Sequence, residues 1–139
     1  MRCVLSHLLI IALTVCVSTA IGEDDSKTPK FDDAAIEFFE REVRPLLAKR
    51  CYECHSKDSE EPSGGLRLDS RIAIVAGGDT GPAVEPGEPE DSLLIDAINY
   101  GEIYEMPPKS KMPASEIAVL TKWVSMGAPW PKEDAAATT

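Results

Sequence analysis

An all-α domain is what this sequence predicts, and three features carry that expectation. Apolar residues recur at helical spacing in two stretches, 32–50 and 113–127. Strand-type alternation is weak, and Gly and Pro cut the middle of the chain into short pieces. With 139 residues there is room for one modest core and little for a second, and no internal repeat is present.

The first segment, residues 1–22, has the order of a secretory signal peptide: Met1-Arg2, an apolar run from Leu8 to Val17, then the small residues Ser18-Thr19-Ala20. A membrane anchor is the rival reading, but the apolar run is short for a span. Lipid modification at Cys16 is disfavoured by Val15, which stands where a small residue is expected. The mature chain is expected to begin near Ile21 or Glu23, with residues 23–30 as a polar linker.

The folded part is expected over residues 31–131. A first helix starts with Asp32 or Asp33 as N-cap and carries Ile36, Phe39, Val43 and Leu46-Leu47 on one face, with Pro45 kinking or restarting it. Residues 56–65 are charged, end in a Gly pair and read as a surface loop, followed by the short segment Leu66-Arg67-Leu68. A brief helix capped by Asp69 carries Ile72 and Val75 and stops at Gly77. The following Gly-rich stretch lacks the Lys-Ser/Thr ending of a phosphate loop. Pro89 suits the first turn of another helix, with Leu93, Leu94, Ala97 and Ile98 inward and Gly101 as its stop. A last helix starts around Pro113, buries Ile117, Leu120 and Val124 with Trp123 at the border of that face, and ends at Gly127. Trp130-Pro131 closes the domain, and residues 132–139 are expected to be a disordered tail.

The formal charge is −10, and loss of residues 1–22 removes one base, Arg2, and no acid, giving −11. Nucleic acid is thereby an unfavourable partner, and a basic docking surface on a protein partner a favourable one. Of four cysteines, Cys3 and Cys16 lie in the leader, and of two histidines His7 does too. One close pair, Cys51 and Cys54, is no disulfide framework. Everything reactive in the mature chain falls within Cys51-Tyr52-Glu53-Cys54-His55.

Cys-x-x-Cys-His is the pattern of covalent c-type haem attachment. On a helical turn, positions i and i+3 share a face, so both thiols reach the two vinyl groups as thioethers, and His55 at i+4 faces the same way as proximal iron ligand. A closed zinc site wants four N or S ligands, and three are present. A redox-active cysteine pair wants a strand before it, whereas an amphipathic helix precedes this one. The second axial ligand then falls to methionine, with Met106, Met112 and Met126 available. Met106 and Met112 both precede proline in stiffened segments, and Met126, on the closing helix, is expected as core filler.

Beyond this motif the chain resembles the planctomycete-type cytochrome c domain over roughly residues 31–131. The resemblance lies in Val43-Arg44-Pro45-Leu46-Leu47, Gly64-Gly65-Leu66-Arg67-Leu68-Asp69-Ser70, Gly77-Gly78-Asp79, Pro86-Gly87-Glu88-Pro89, Ser92-Leu93-Leu94, Met106-Pro107-Pro108, and Trp123 with Gly127-Ala128-Pro129-Trp130-Pro131. It implies a small cytochrome c-like helical domain wrapped around one covalently bound haem c, with Met106 as distal iron ligand and Met112 in a packing role. Phe39, Leu46, Leu94, Ile98, Leu120 and Trp123 are candidates to wall the haem, and Arg67, Arg71, Lys109 and Lys111 to meet its propionates.

The expected function is that of an exported, periplasmic mono-haem cytochrome passing single electrons between redox partner proteins, a carrier and not an enzyme. The rivals are a haem-based ligand-binding or sensor module with an open sixth coordination site, and a secreted scaffold that keeps haem for structure.

Overall fold

The computed structural model describes residues 29–132. The leader, nearly all of the linker and the tail beyond Lys132 lie outside the described residues.

The chain folds as predicted into helices without a strand: among the described residues the sole extended pairing is an isolated bridge between Gly78 and Gly81. Helix α1 spans Asp33–Phe38 and is capped by Asp32, whose carboxylate accepts from the Ala35 amide at 2.7 Å. A π-helical turn over Phe39–Val43 follows, then α2 over Arg44–Arg50. The wide turn sits where Pro45 demands it. Proline cannot donate to the Arg41 carbonyl and its ring crowds that oxygen, so the Arg44 amide reaches back five residues to Phe39 instead.

The brief middle helix α3 covers Arg71–Ala76, and its N-cap is Ser70, not Asp69. Both residues are capping types, but the Asp69 carboxylate is already held by the Lys57 amide at 2.8 Å and by Arg67 at 3.0 Å. Burial pushes the Asp69 carboxyl up, and these bonds outweigh it and hold it below the ordinary range. Pro89 opens a single tight 3₁₀ turn, Pro89–Asp91, and α4 proper runs Leu93–Ile98. Helix α5 spans Ala114–Ser125, with Gly127 just beyond it at φ 89°.

The core joins the first and last helices. Phe39, Leu47, Leu120, Trp123 and Val124 are fully buried, so Trp123 belongs at the centre of its face instead of the border. The rings of Phe39 and Trp130 lie 4.3 Å apart, with Trp123 at 6.2 Å from each, and the Trp123 Nε1–H donates to the Pro129 carbonyl at 2.9 Å. Met126 is 38 % exposed and fills no core, whereas Met112 is buried. Arg50 grips Glu116 with two bonds of 2.8 and 3.0 Å, tying the end of α2 to the start of α5 and holding the Glu116 carboxyl below its usual range.

Two glycine pairs meet in the middle of the chain. The Asp79 amide donates to the Gly64 carbonyl at 2.8 Å, and a Cβ on Gly78 would overlap that same carbonyl. Gly78→Ala is therefore expected to destabilise the fold by about 1–3 kcal/mol, because backbone and not a mobile side chain must give way. Urea unfolding of the variant checks it, and an unchanged midpoint would count against this contact.

Candidate functional site

The cysteine motif lies just past α2, as expected. Cys51 ends that helix, and the chain winds one further turn in which the Cys54 and His55 amides both donate to the Cys51 carbonyl, at 3.2 and 2.9 Å. Cys51, Cys54 and His55 thus share one turn. Cys51 faces inward and Cys54 is exposed, with the imidazole half-buried between these extremes.

Every carbonyl of this turn accepts a hydrogen bond. Ser56 Oγ donates to Tyr52 O at 2.8 Å, Ser59 Oγ to Glu53 O at 3.3 Å, the Ser63 amide to Cys54 O at 3.0 Å and the Leu68 amide to His55 O at 2.8 Å. The charged loop at 56–65 and the segment after it therefore hold the motif in shape. The ring of His55 is held as well: Nδ1 lies 3.2 Å from the Leu66 carbonyl oxygen. A carbonyl only accepts, so Nδ1 carries the proton and Nε2 keeps its lone pair for a metal. Sequence reasoning missed Leu66, because a main-chain carbonyl has no residue signature.

These residues suit a haem. The donor set is two thiols at the boundary between core and solvent and an imidazole whose second nitrogen is fixed by a carbonyl, the usual support of a metal-bound histidine. They suit a thiolate chemistry poorly. Burial pushes the Cys51 thiol up to about 12, whereas a redox-active pair works through a thiolate near neutral pH. Among the described residues no group of three or more His, Cys, Asp or Glu side chains is placed to hold a metal ion.

Met106 stands on a separate loop and is half-buried. Its amide donates to the Ala97 carbonyl on α4 at 2.9 Å. Contacts link this loop to the motif: the Tyr104 and Thr80 hydroxyls lie 2.7 Å apart, the neighbouring Asp79 amide binds Gly64 O, and Leu66, two residues on, holds His55. Residues 51–110 match the planctomycete cytochrome C family. The planctomycete cytochrome C match starts at Cys51 and ends past Met106, so all four predicted site residues fall inside it, and it indicates a haem-binding cytochrome. No curated protein and no solved structure matches the chain.

The residues expected around a haem are placed unevenly. Phe39, Leu46, Leu94, Ile98, Leu120 and Trp123 are all buried in the main core, where Phe39 and Trp123 pack with Trp130. Three of the four basic candidates have their charged heads engaged within the protein. Arg67 binds Asp69, Arg71 donates to the carbonyls of Gly127 and Ala128, and Lys111 donates to Asn99 O. Lys109 stands exposed. An open groove of about 410 Å³ between α2 and α5 has none of Cys51, Cys54, His55 or Met106 in its lining. Among the described residues no helix is long and apolar enough to cross a membrane.

Proposed function

We propose that this chain is an exported mono-haem c-type cytochrome, a one-electron carrier whose iron is held between His55 and Met106. The observation that carries the reading is the His55 ring, with Nδ1 spent on the Leu66 carbonyl and Nε2 left to bind iron, on the same turn as both thiols. Haem supplies the one-electron Fe(III)/Fe(II) chemistry when bound.

The protein's own residues do the rest. Cys51 and Cys54 fix the porphyrin edge beside His55. The Leu66 carbonyl sets the tautomer and the ring plane. Met106, in its half-buried loop, would offer the iron a soft thioether, which favours the reduced metal. The surplus of acid, −10 for the whole chain, supports partners that present basic docking surfaces and steers encounters with them. Export is supported by the leader-like order of residues 1–20.

The test is an optical redox titration of the protein matured in a bacterial periplasm, run beside Met106→Ala. A reversible one-electron transition is expected, with the far-red charge-transfer band of sulfur-ligated ferric haem present in the parent and absent in the variant, and a lower potential in the variant. Fast carbon monoxide binding to the reduced parent, at the rate of the variant, would instead favour an open-site sensor.

A further inference from the structure

We propose that Tyr100 is a positioning residue for Met106, holding the Met106-Pro107-Pro108 segment in place through its phenol. The inference rests on the haem-carrier reading above. Tyr100 follows the Asn99 cap of α4 and has φ +61°, a left-handed conformation that among the described non-glycine residues only Ala128 shares. Glycine is the ordinary occupant of that place after a helix, and a bulky aromatic there is a backbone outlier. Such strain persists where the surroundings hold it.

What holds it here is visible. The Tyr100 hydroxyl donates to the Pro107 carbonyl at 2.6 Å, and the Lys111 ammonium lies 5.6 Å from the centre of the same ring while donating to Asn99 O. The need for a side-chain donor follows from the sequence. Pro107 and Pro108 have no amide hydrogens, so past the Met106 amide, which binds Ala97 O, the segment has only carbonyls with which to attach itself. Tyr100 supplies the missing donor on one side and α4 the acceptor on the other, with Met106 between them. With the backbone left-handed at residue 100, the ring reaches a carbonyl seven residues further along the chain.

The experiment compares haem-loaded parent, Tyr100→Phe, Tyr100→Gly and Met106→Ala by carbon monoxide association to the ferrous protein, by the far-red band of the ferric protein, and by thermal unfolding. Removing one hydrogen bond should shift the balance between iron-bound and released Met106 about five- to tenfold, with a matching rise in carbon monoxide association for Tyr100→Phe and a weakened band. Tyr100→Gly should behave like Tyr100→Phe, since it relieves the backbone but lacks the phenol. If Met106→Ala abolishes the band while Tyr100→Phe keeps both band and association rate at parental values, the positioning role is wrong and the ligand assignment stands. The positioning role fails equally if Tyr100→Phe changes only the unfolding temperature, or if Tyr100→Gly matches the parent. If Met106→Ala leaves the band and the rate unchanged, the ligand assignment itself fails and takes this proposal with it.

Discussion

A chain with alanine at both Cys51 and Cys54, expressed in a periplasm with working c-type maturation, is expected to carry no haem that survives denaturation and acidic-acetone extraction. The parent should keep one haem per polypeptide under the same treatment, read from the reduced pyridine adduct. The effect is all or none because thioethers are the only covalent links between haem and chain. The single variants separate attachment from folding. Cys54 is exposed, so Cys54→Ala should leave stability within about 0.5 kcal/mol while reducing haem retention. Cys51 is buried among Leu46, Leu47 and their neighbours, and Cys51→Ala should cost about 1 kcal/mol as well. A parent that retains no haem from such a host would overturn the carrier function altogether, and full retention by the double variant would overturn the assignment of these two cysteines.

The second large effect is on stability. Trp123→Ala should destabilise the domain by about 3–5 kcal/mol, the range for emptying a buried aromatic site. The side chain is fully buried, packs at a tilt against Phe39 and Trp130, and donates to the Pro129 carbonyl, which the variant leaves without that donor. For a domain of this size, each kcal/mol lowers the melting temperature by about 4–8 °C, so a fall of about 12–40 °C is expected. Trp123→Phe keeps much of the packing and loses the indole donor, and its cost should be smaller, about 1–3 kcal/mol. Circular dichroism melts and urea titrations of both variants decide it. A loss below about 1 kcal/mol for Trp123→Ala would mean that the aromatic cluster does not join the first and last helices as the packing implies. Trp123, Phe39 and Trp130 all lie outside the matched segment at 51–110, so this aromatic cluster is built by residues the family match does not cover.

The terminal helices were legible because their signals agree across levels. Asp32 is a capping residue at the head of an apolar-periodic stretch, Pro45 has one steric consequence in a helix, and Gly77 and Gly127 stop helices through a conformation they adopt freely. The sequence spacing of Cys51, Cys54 and His55 predicts a shared turn, and the structure places all three on one. What escaped was decided by tertiary competition. Asp69 and Ser70 are equal as caps until Arg67 and the Lys57 amide engage the carboxylate. Met126 was expected in the core, yet it caps α5 facing solvent, and the helical period explains this, since two residues past the buried Val124 is a rotation of about 200°. The hold on His55 by Leu66, and on Pro107 by Tyr100, involves main-chain oxygens that every residue possesses. Such contacts have no sequence pattern and become visible only when loops distant in sequence are brought together.

The fully bonded turn of Cys51 to His55 has a consequence for speed. When a charge appears on a metal held by a loosely tethered ligand, bond lengths and nearby dipoles readjust, and that nuclear rearrangement is a barrier in both directions of the exchange. Here the five carbonyls of the turn already point at donors, and the imidazole is pinned from behind. Little would be left to swing if a metal bound by His55 gained or lost an electron. On the carrier reading proposed above, such a site would exchange its electron quickly at small driving force.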